Sequence, residues 1–383
     1  MHHSSNQRHA DIVIIGAGAA GLSLAVALAR SPLNHKRVVL LDSKAEFRHD
    51  RTWCYWALED HPFRSAEKHR WHQWRIHTPE RAINCQSNRY PYVHLPSYAM
   101  YRHAQTIIEG QPSFDLHLGV EVKGCTEQGG HVDIDSSEGT WRASHVFDSR
   151  PSPRATNTSL KQHFLGWVIH TGKAVFDPST VTLMDFRVPQ TQGVHFMYLL
   201  PFSATTALVE DTYFSNQTLA TEVYEQALRS YLNTHYACDY VITHREQGVI
   251  PMDTRVAHSR APSSRIVSIG MAAGVAKPST GYAFTFMQRH GAAICEALTR
   301  EPWRAPPVRA QRWIELDGIL LNQLRVAPEQ GAKIFARLFD RVPNESMLRF
   351  LSEQASTRDI LKVMRSVPRL SFMQTALRSL LSP

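Results

Sequence analysis

The chain has 383 residues, of which 43% are hydrophobic and 20% charged, so it suffices for two or three domains or one large two-part fold, and wholesale disorder is excluded. Its 42 Lys and Arg residues exceed its 34 Asp and Glu residues, and the net charge of +8 favours an anionic partner: a nucleotide, a nucleic acid or a membrane surface. No apolar run approaches the roughly 20 residues that cross a bilayer, which predicts a soluble or peripheral protein.

The cysteine and histidine patterns argue against disulfides and metal sites. The 5 cysteines are odd in number and include no C-x-x-C pair, which is typical of a reducing cytoplasm. The 21 histidines show no H-E-x-x-H or similar ligand spacing. The first residues are polar and lack the apolar core of a secretory signal. We therefore predict a cytoplasmic protein without a metal.

The first 42 residues contain a complete βαβ pattern. An apolar run at residues 12–15 predicts a strand, residues 22–30 predict an Ala- and Leu-rich buried helix, and residues 38–41 predict a second buried strand that ends at Asp42. Between the first strand and the helix lies a G-x-G-x-x-G motif at residues 16–21. The motif has the strand, helix and acidic residue that a dinucleotide-binding unit requires.

Each part of this motif has a physical role in holding a dinucleotide. The first glycine allows a tight turn, the second lets the backbone approach a pyrophosphate, and the third lets the helix pack closely on the strand. An acid at the end of the second strand accepts hydrogen bonds from ribose hydroxyls, which favours FAD or NAD over NADP. The predicted contacts are Gly16, Gly18, Ala20, Gly21 and Asp42.

Two later segments favour FAD. Residues 145–150 resemble a strand that ends near Asp148, and residues 265–270 resemble a strand that enters a Gly- and Ala-rich loop before a long helix at residues 282–298. The start of that helix would direct backbone N–H groups at the flavin or its pyrophosphate. The predicted cofactor contacts here are Asp148, Gly270, Gly274, Pro278, Thr280, Gly281 and Tyr282.

The predicted fold class is α/β, with a Rossmann-type FAD-binding domain of the glutathione-reductase or hydroxylase kind, an antiparallel β-sheet substrate domain and a helical C-terminal region. The FAD-binding domain is assigned to residues 10–80, 100–155 and 260–300, and the substrate domain to residues 81–99 and 156–259. Residues 301–383 combine apolar and arginine residues at helical spacing. That pattern suits equally a membrane-facing surface and a helical cap with a solvated basic face.

Six short segments have a distinctive sequence and a distinctive order. They are Arg-Thr-Trp-Cys-Tyr-Trp at 51–56, Gln-His-Phe-Leu-Gly-Trp at 162–167, Thr-Leu-Met-Asp-Phe-Arg at 182–187, Leu-Val-Glu-Asp-Thr-Tyr-Phe at 208–214, Gly-Val-Ile-Pro-Met at 248–252 and Lys-Pro-Ser-Thr-Gly-Tyr at 277–282. With the N-terminal fingerprint, the chain from Asp11 to about Phe372 resembles the flavin-dependent lycopene β-cyclase family.

The resemblance implies a flavoprotein that catalyses no net redox change. Members need reduced FAD, with NAD(P)H as the usual reductant, and they protonate the acyclic end of lycopene and close a β-ionone ring through a carbocation. The resemblance places Leu208 to Thr212 on the family's Phe-Leu-Glu-Glu-Thr motif. Glu210 matches the first glutamate of the motif. Asp211 stands at the second glutamate, and its side chain is one methylene shorter. The expected partners are a hydrophobic polyene or isoprenoid substrate and a membrane surface, with peripheral membrane association.

Protonating an unactivated alkene requires a strong acid beside a dry, apolar substrate. A carboxyl group in an apolar cavity has a raised pKa and stays protonated, so Glu210 is the candidate acid, either as the direct proton donor or coupled to the reduced flavin. Trp53, Tyr55 and Trp56 are candidates to line the cavity and stabilise the cation through their ring faces. The alternatives are that these aromatics are ordinary core residues and that Glu210 is a surface acid at a strand end.

Other functions remain open at this level. A flavin monooxygenase, a halogenase and an isoprenoid reductase share the expected fold. Hydroxylases usually carry Gly-Asp where this chain has Gly270-Met271, and Asp-Gly where it has Asp148-Ser149. The G-W-x-W-x-I-P motif of halogenases is absent from the sequence. A cyclase of another polyene or prenylated metabolite fits equally well. A non-enzymatic FAD- or lipid-binding protein fits less well. Nucleic-acid binding is disfavoured because the basic residues are dispersed and form no known module.

Overall fold

A computed structural model describes residues 8–151, 160–254, 261 and 263–367. Within these ranges the chain forms three sheets, and helices cover the sheets. The strands are β1 (Arg8–Ile15), β2 (Val38–Asp42), β3 (Thr52–Trp56), β4 (His69–Trp71), β5 (Gln73–His77), β6 (Ala82–Gln86), β7 (Tyr92–Pro96), β8 (Phe114–Leu118), β9 (Val122–Gln128), β10 (His131–Ser136), β11 (Gly139–Asp148), β12 (Lys161–Thr171), β13 (Thr180–Asp185), β14 (Val194–Pro201), β15 (Thr206–Ser215), β16 (Tyr240–Pro251) and β17 (Ile266–Ser268). The helices are α1 (Ala19–Ala29), α2 (Ser97–Glu109), α3 (Thr221–His235), α4 (Phe284–Ala297), α5 (Gln311–Val326), α6 (Gly331–Arg341), α7 (Asn344–Leu351) and α8 (Thr357–Ser366).

The first sheet has the strand order β8-β2-β1-β11-β10-β9, and β17 pairs with the end of β11. The strands β8, β2, β1, β11 and β17 run parallel, whereas β9 and β10 form an antiparallel extension. Strand β2 is buried along its whole length and β1 along its second half, which is typical of parallel strands covered on both faces and explains their apolar runs. This sheet confirms the α/β, flavoprotein-like class that the βαβ pattern predicts.

Helix α1 packs tightly between this sheet and α4. Because its Ala- and Leu-rich surface is buried nearly all round, it has no polar face. A Cβ atom added at Gly291 of α4 would lie 3.5 Å from Leu24 Cα, so the two helix backbones approach each other closely. The predicted helix at residues 282–298 is thus present as α4 and supports the first βαβ unit.

The second sheet has the order β16-β12-β15-β14-β13-β5-β6 and is antiparallel except at the β13–β5 pair. The predicted domain boundary between residues 80 and 81 falls between β5 and β6, which are neighbours in this sheet. One face packs on α3 through residues such as Leu228 and Tyr231. The other face packs on the C-terminal helices. A third, small sheet, β3-β7-β4, lies at the junction of the first two.

The C-terminal helices α5–α8 are tied to the loop before α4 by a buried ion network. Lys277 Nζ in that loop lies 2.6 Å from Asp317 Oδ1 on α5, and Ser279 Oγ donates to the same oxygen at 2.7 Å. Arg309 donates to Asp317 Oδ2 at 2.6 Å and also pairs with Glu353. The helical prediction holds through residue 366, and residues 368–383 lie outside the described part of the chain. In the described ranges no helix is both long and apolar enough to cross a membrane.

Candidate active site

The glycine motif forms the turn that the βαβ pattern predicts. Gly16 has a φ of 93°, a left-handed conformation that glycine adopts without strain. A Cβ atom at Gly21 would lie only 1.9 Å from the Gly16 carbonyl oxygen, so α1 could not approach β1 with any larger residue there. At Gly18 no atom lies within 4 Å of an added Cβ, and the start of α1 therefore faces open space. That space and the N–H groups at the helix start suit a pyrophosphate.

The acid at the end of β2 is held by the same loop. Asp42 Oδ2 accepts a hydrogen bond from the Ala17 amide at 2.5 Å, and Oδ1 accepts one from the Lys44 amide at 2.8 Å. These bonds fix the carboxylate beside the glycine turn, where ribose hydroxyls of a bound dinucleotide would lie. The residues therefore fit the adenosine half of FAD.

We expect Gly21→Ala to destabilise the dinucleotide turn and to abolish flavin binding. The added methyl group would overlap the Gly16 carbonyl oxygen and push α1 away from β1. Flavin fluorescence after gel filtration measures the retained cofactor. The matched control is Gly124→Ala on β9, where no atom lies within 4 Å of the added Cβ. Flavin retention in Gly21→Ala equal to that in Gly124→Ala would contradict this account.

The second predicted cofactor segment meets the first. Gly270 has a φ of 65°, and a Cβ atom there would lie 2.8 Å from Ala20 Cβ, so the loop after β17 packs directly on the glycine motif. Gly274 and Gly281 also have left-handed φ values, of 74° and 71°. The Asp148 carboxylate is held by the Arg150 guanidinium at 2.7 Å, and its contact with the cofactor stays a prediction.

A cavity of about 520 Å³ lies between the first sheet, the second sheet and the C-terminal helices. Of the predicted cofactor residues, it is bordered by Gly18, Thr280, Gly281 and Tyr282. Its remaining wall is mostly apolar, as in sites for hydrophobic ligands. The main apolar contributors are Leu183, Met184, Phe196, Leu208, Phe214, Leu320, Phe335, Leu338, Phe339, Met347, Phe350 and Leu351.

Glu210 lies on β15 and faces this cavity. Its side chain is buried, and Thr212 Oγ1 donates a hydrogen bond to its Oε1 at 2.8 Å. Burial raises the pKa of Glu210 well above its ordinary value, and the negative charge of Glu246 raises the pKa further. A carboxylic acid in this setting retains its proton and can donate it to a bound molecule.

Asp211 faces the opposite side of the sheet from Glu210, so the two acids do not meet in the cavity, and a catalytic role of Asp211 stays a prediction. Successive residues of a strand point to opposite faces, and Asp211 therefore lies among the side chains that pack on α3. Its Oδ1 lies 2.5 Å from Nε2 of His195, whose Nδ1 donates to the Pro189 carbonyl at 2.7 Å. The His195 ring stacks on Tyr213 at 4.0 Å. Asp211 thus fixes β14 to β15 from behind and does not reach the cavity.

The three candidate aromatic residues divide between cavity and core. Trp53 borders the cavity. Tyr55 stacks on Phe284 at 4.7 Å and is buried. Trp56 packs against Trp74, with ring centroids 4.5 Å apart, and is also buried. The alternative of ordinary core residues therefore applies to Tyr55 and Trp56, neither of which borders the cavity.

The cavity contains polar residues that the sequence reasoning did not single out. Tyr92 and Tyr198 border it and share a hydrogen bond of 2.9 Å between their hydroxyl groups. Glu246 on β16 also borders it, and its Oε2 accepts a hydrogen bond from Thr52 Oγ1 at 2.8 Å. The available signal was the alternation along β16, in which Glu246 shares a face with Gly248 and Ile250.

The raised pKa of Glu210 predicts a pH dependence of stability. The folded protein retains the Glu210 proton above the ordinary value of about 4.5, at which the unfolded chain releases it. The stabilisation is therefore complete below that value and is lost as pH rises through the folded pKa. Chemical denaturation at a series of pH values compares wild type with Glu210→Gln. The wild-type free energy of unfolding should fall relative to the variant as pH rises, and a difference independent of pH would refute this.

A glycine turn on a parallel sheet, joined to an antiparallel sheet across a cavity, defines the flavoprotein class of fold. A geranylgeranyl bacteriochlorophyll reductase-like protein from Thermoplasma acidophilum has this fold, with a TM-score of 0.64, 14% identity, and coverage of 96% of this chain and 99% of that one. A flavoprotein/dehydrogenase from Cytophaga hutchinsonii aligns with a TM-score of 0.65 and 11% identity over 97% and 100% of the two chains. The flavin-dependent monooxygenase PieE, solved with FAD and substrate, aligns with a TM-score of 0.60 and 13% identity. The alignment covers 96% of this chain and 72% of that one.

The sequence is similar to a narrower group of proteins. It is 26% identical to lycopene beta-cyclase of Paracoccus sp. over an alignment of 412 positions that covers 97% of each chain. It is also 26% identical over 292 residues to lycopene beta-cyclase of Pantoea ananas, covering 72% of this chain and 71% of that protein. The family model "Lycopene cyclase protein" matches residues 11–377. The chain therefore belongs to the lycopene cyclase protein family.

Proposed function

We propose that the protein is a flavin-dependent lycopene β-cyclase that forms β-ionone rings, giving γ- or β-carotene, without net redox change. The observation that carries the proposal is Glu210, a buried carboxyl that faces an apolar cavity beside the dinucleotide turn. The similarity to lycopene beta-cyclases over nearly the whole chain supports the choice of substrate.

FAD is the proposed cofactor, with NAD(P)H as its reductant. Gly16, Gly18, Gly21 and Asp42 would hold the adenosine and pyrophosphate, and the segment Thr280–Gly281–Tyr282 would border the flavin ring. When bound in its reduced form, FAD supplies electron density and negative charge beside the cavity.

Glu210 is the proposed proton donor. Its neutral carboxyl gives a proton to the terminal double bond of the acyclic end, and the resulting tertiary cation is attacked by the neighbouring double bond to close the ring. The apolar wall excludes water, which would capture the cation. Trp53, Tyr92 and Tyr198 border the cavity, and an aromatic ring whose face is turned toward the substrate attracts a cation.

The C-terminal helices provide the proposed route to a bilayer-dissolved substrate. On α8, Leu361 and Met364 are 45% and 54% exposed. Arg358, Lys362 and Arg365 lie on the same helix, and this mixture of exposed apolar and basic residues suits the surface of an anionic membrane. We therefore place the protein in the cytoplasm, peripherally associated with a membrane.

Anaerobic incubation of the purified protein with lycopene-containing liposomes, FAD and NADPH tests the proposed function. Chromatography should detect γ-carotene or β-carotene. Omission of FAD or of the reductant should prevent ring formation. Hydroxylated or reduced lycopene as the product would instead support a monooxygenase or an isoprenoid reductase of the same fold. Unchanged lycopene, with conversion of another polyene or prenylated metabolite, would support a different cyclase.

A further inference from the structure

A glycine on the middle of three neighbouring strands brings two carboxyl groups together. Gly166 of β12 pairs with Glu210 of β15 on one side and with Glu246 of β16 on the other. Directly paired residues share a face of the sheet, so both acids face the cavity. A Cβ atom at Gly166 would lie 3.3 Å from Glu246 Cγ and 3.5 Å from Glu210 Cβ. The missing side chain thus leaves both acids room above the middle strand.

The surroundings of the two acids are unequal. Glu246 accepts a hydrogen bond from the Thr52 hydroxyl and lies near the positive charge of Arg51. Burial raises the pKa of Glu246, and the Thr52 hydrogen bond and Arg51 oppose the rise. At Glu210, burial and the charge of Glu246 both raise the pKa. When the pair holds one proton, that proton therefore lies on Glu210 and the negative charge lies on Glu246.

We propose that Glu246 is the base that completes the cyclisation, so that Glu210 and Glu246 form a proton donor and a proton acceptor on either side of Gly166. The inference rests on the proposed function, because it assigns the second proton transfer of that reaction. It accounts for a cavity-facing carboxylate that protonation of the acyclic end does not use.

The proton balance of the reaction closes within the pair. The Glu210 O–H bond breaks as a C–H bond forms at the terminal double bond, and a carbon–carbon bond then forms as the next double bond attacks the cation. The ring cation loses a neighbouring C–H proton to the Glu246 carboxylate, and those two electrons become the ring double bond. Return of this proton from Glu246 to Glu210 restores the starting state without an oxidant or reductant.

Several other titratable groups line the cavity or lie behind its wall and contribute to the charge around the two acids. Arg51 precedes β3 and favours the negative charge on Glu246. Asp211 acts on Glu210 from behind the sheet and adds to the rise in its pKa. The other titratable groups that line the cavity are Lys44, Asp50, Cys54, Tyr92, Tyr101, Tyr198 and Tyr282.

A measurement without substrate tests the pair directly. Infrared difference spectra between wild type and Glu210→Gln in the flavin-bound protein identify the C=O stretch of the protonated Glu210 carboxyl. In a Glu246→Gln background the charge that raises the Glu210 pKa is absent, so this band should disappear at a lower pH than in wild type. A band that titrates at the same pH in both backgrounds would overturn the coupling of the two acids.

Turnover provides the second test. Glu246→Gln should lower kcat about 10²–10⁴-fold, the range expected for loss of a positioned acid or base, with little change in KM. Glu246→Asp should restore part of the rate, and Glu109→Gln, an exposed substitution at the end of α2, serves as the matched control. A folded Glu246→Gln protein with the kcat of wild type would refute the inference.

A second variant keeps the test decisive if Glu246→Gln does not fold. Thr52→Val removes the hydrogen bond that lowers the Glu246 pKa. Because the base must be ionised, the acidic limb of the kcat profile should move to higher pH, and an unmoved limb would contradict the role of Glu246. If wild type itself forms no ring, the proposed function fails. If wild type forms rings and both variants match it, only the role of Glu246 fails.

Discussion

Glu210→Gln is expected to lower lycopene cyclisation by about 10²–10⁴-fold while FAD remains bound. The amide replaces the only polar group on β15 that borders the cavity, and it has no acidic proton to transfer. It still accepts the hydrogen bond from Thr212 and keeps the shape of the buried side chain. The change therefore removes the acid and preserves the fold. Product formation under single-turnover conditions with reduced FAD measures the effect.

The control for this experiment separates loss of the acid from loss of structure. Flavin absorbance should match that of wild type, and the thermal midpoint of the variant should not fall below that of wild type, because the buried amide, like the protonated carboxyl, carries no charge. Glu109→Gln should cyclise lycopene at the wild-type rate, since its side chain is exposed at the end of α2. Wild-type cyclisation by Glu210→Gln would remove Glu210 from the role of proton donor.

Asp317→Ala is expected to lower the free energy of unfolding by about 3–5 kcal/mol, as expected when a buried ion pair loses one partner. The Asp317 carboxylate neutralises Lys277 and Arg309, whose side chains are 1% and 2% exposed. Without Asp317, Glu353 is left with two buried cations in this network. Lys277 and Ser279 belong to the loop that borders the cavity, so flavin affinity should fall as well. Urea denaturation of the flavin-bound protein measures the stability.

Asp340→Ala provides the comparison for Asp317→Ala. Asp340 forms an ion pair of 2.7 Å with Arg81, but the two side chains are 31% and 59% exposed. Exposed pairs contribute about 0–1 kcal/mol, so its loss should change stability little. Equal decreases in the free energy of unfolding in the two variants would show that the buried network stabilises the fold no more than an exposed ion pair does.

The sequence predicts the first βαβ unit well because every requirement of that unit is local. The strand, the glycine turn, the helix and the closing acid lie within 42 residues and constrain one another. The prediction of a mainly antiparallel second sheet succeeds for a similar reason, since β14 and β15 are joined by a short turn. Strand alternation also places Glu210 and Asp211 on opposite faces, so the sequence itself argued against an acid pair formed by neighbours.

The partner of Glu210 is not predictable from local pattern. Glu246 and Glu210 lie on strands that never pair with each other, and only the register of β12 between them sets both beside Gly166. The alternation along β16 places Glu246 on one face with Gly248 and Ile250, but it does not identify the strand against which that face lies. The burial of Tyr55 and Trp56 is likewise not predictable from local sequence. Their packing partners in the core, Phe284 and Trp74, are distant in sequence.

Helix α6 has a consequence for how the protein would select the length of its substrate. Phe335 packs on Phe214 with ring centroids 5.9 Å apart, and Phe335, Leu338 and Phe339 form part of the cavity wall. The acid lies on a strand of the sheet, whereas these residues belong to a separate helix. A larger or smaller side chain on α6 would change how deeply a chain end penetrates without altering the acidity of Glu210 or the dinucleotide turn. The length of substrate that the cavity accepts can thus change among homologues without a change in the acid that starts the reaction.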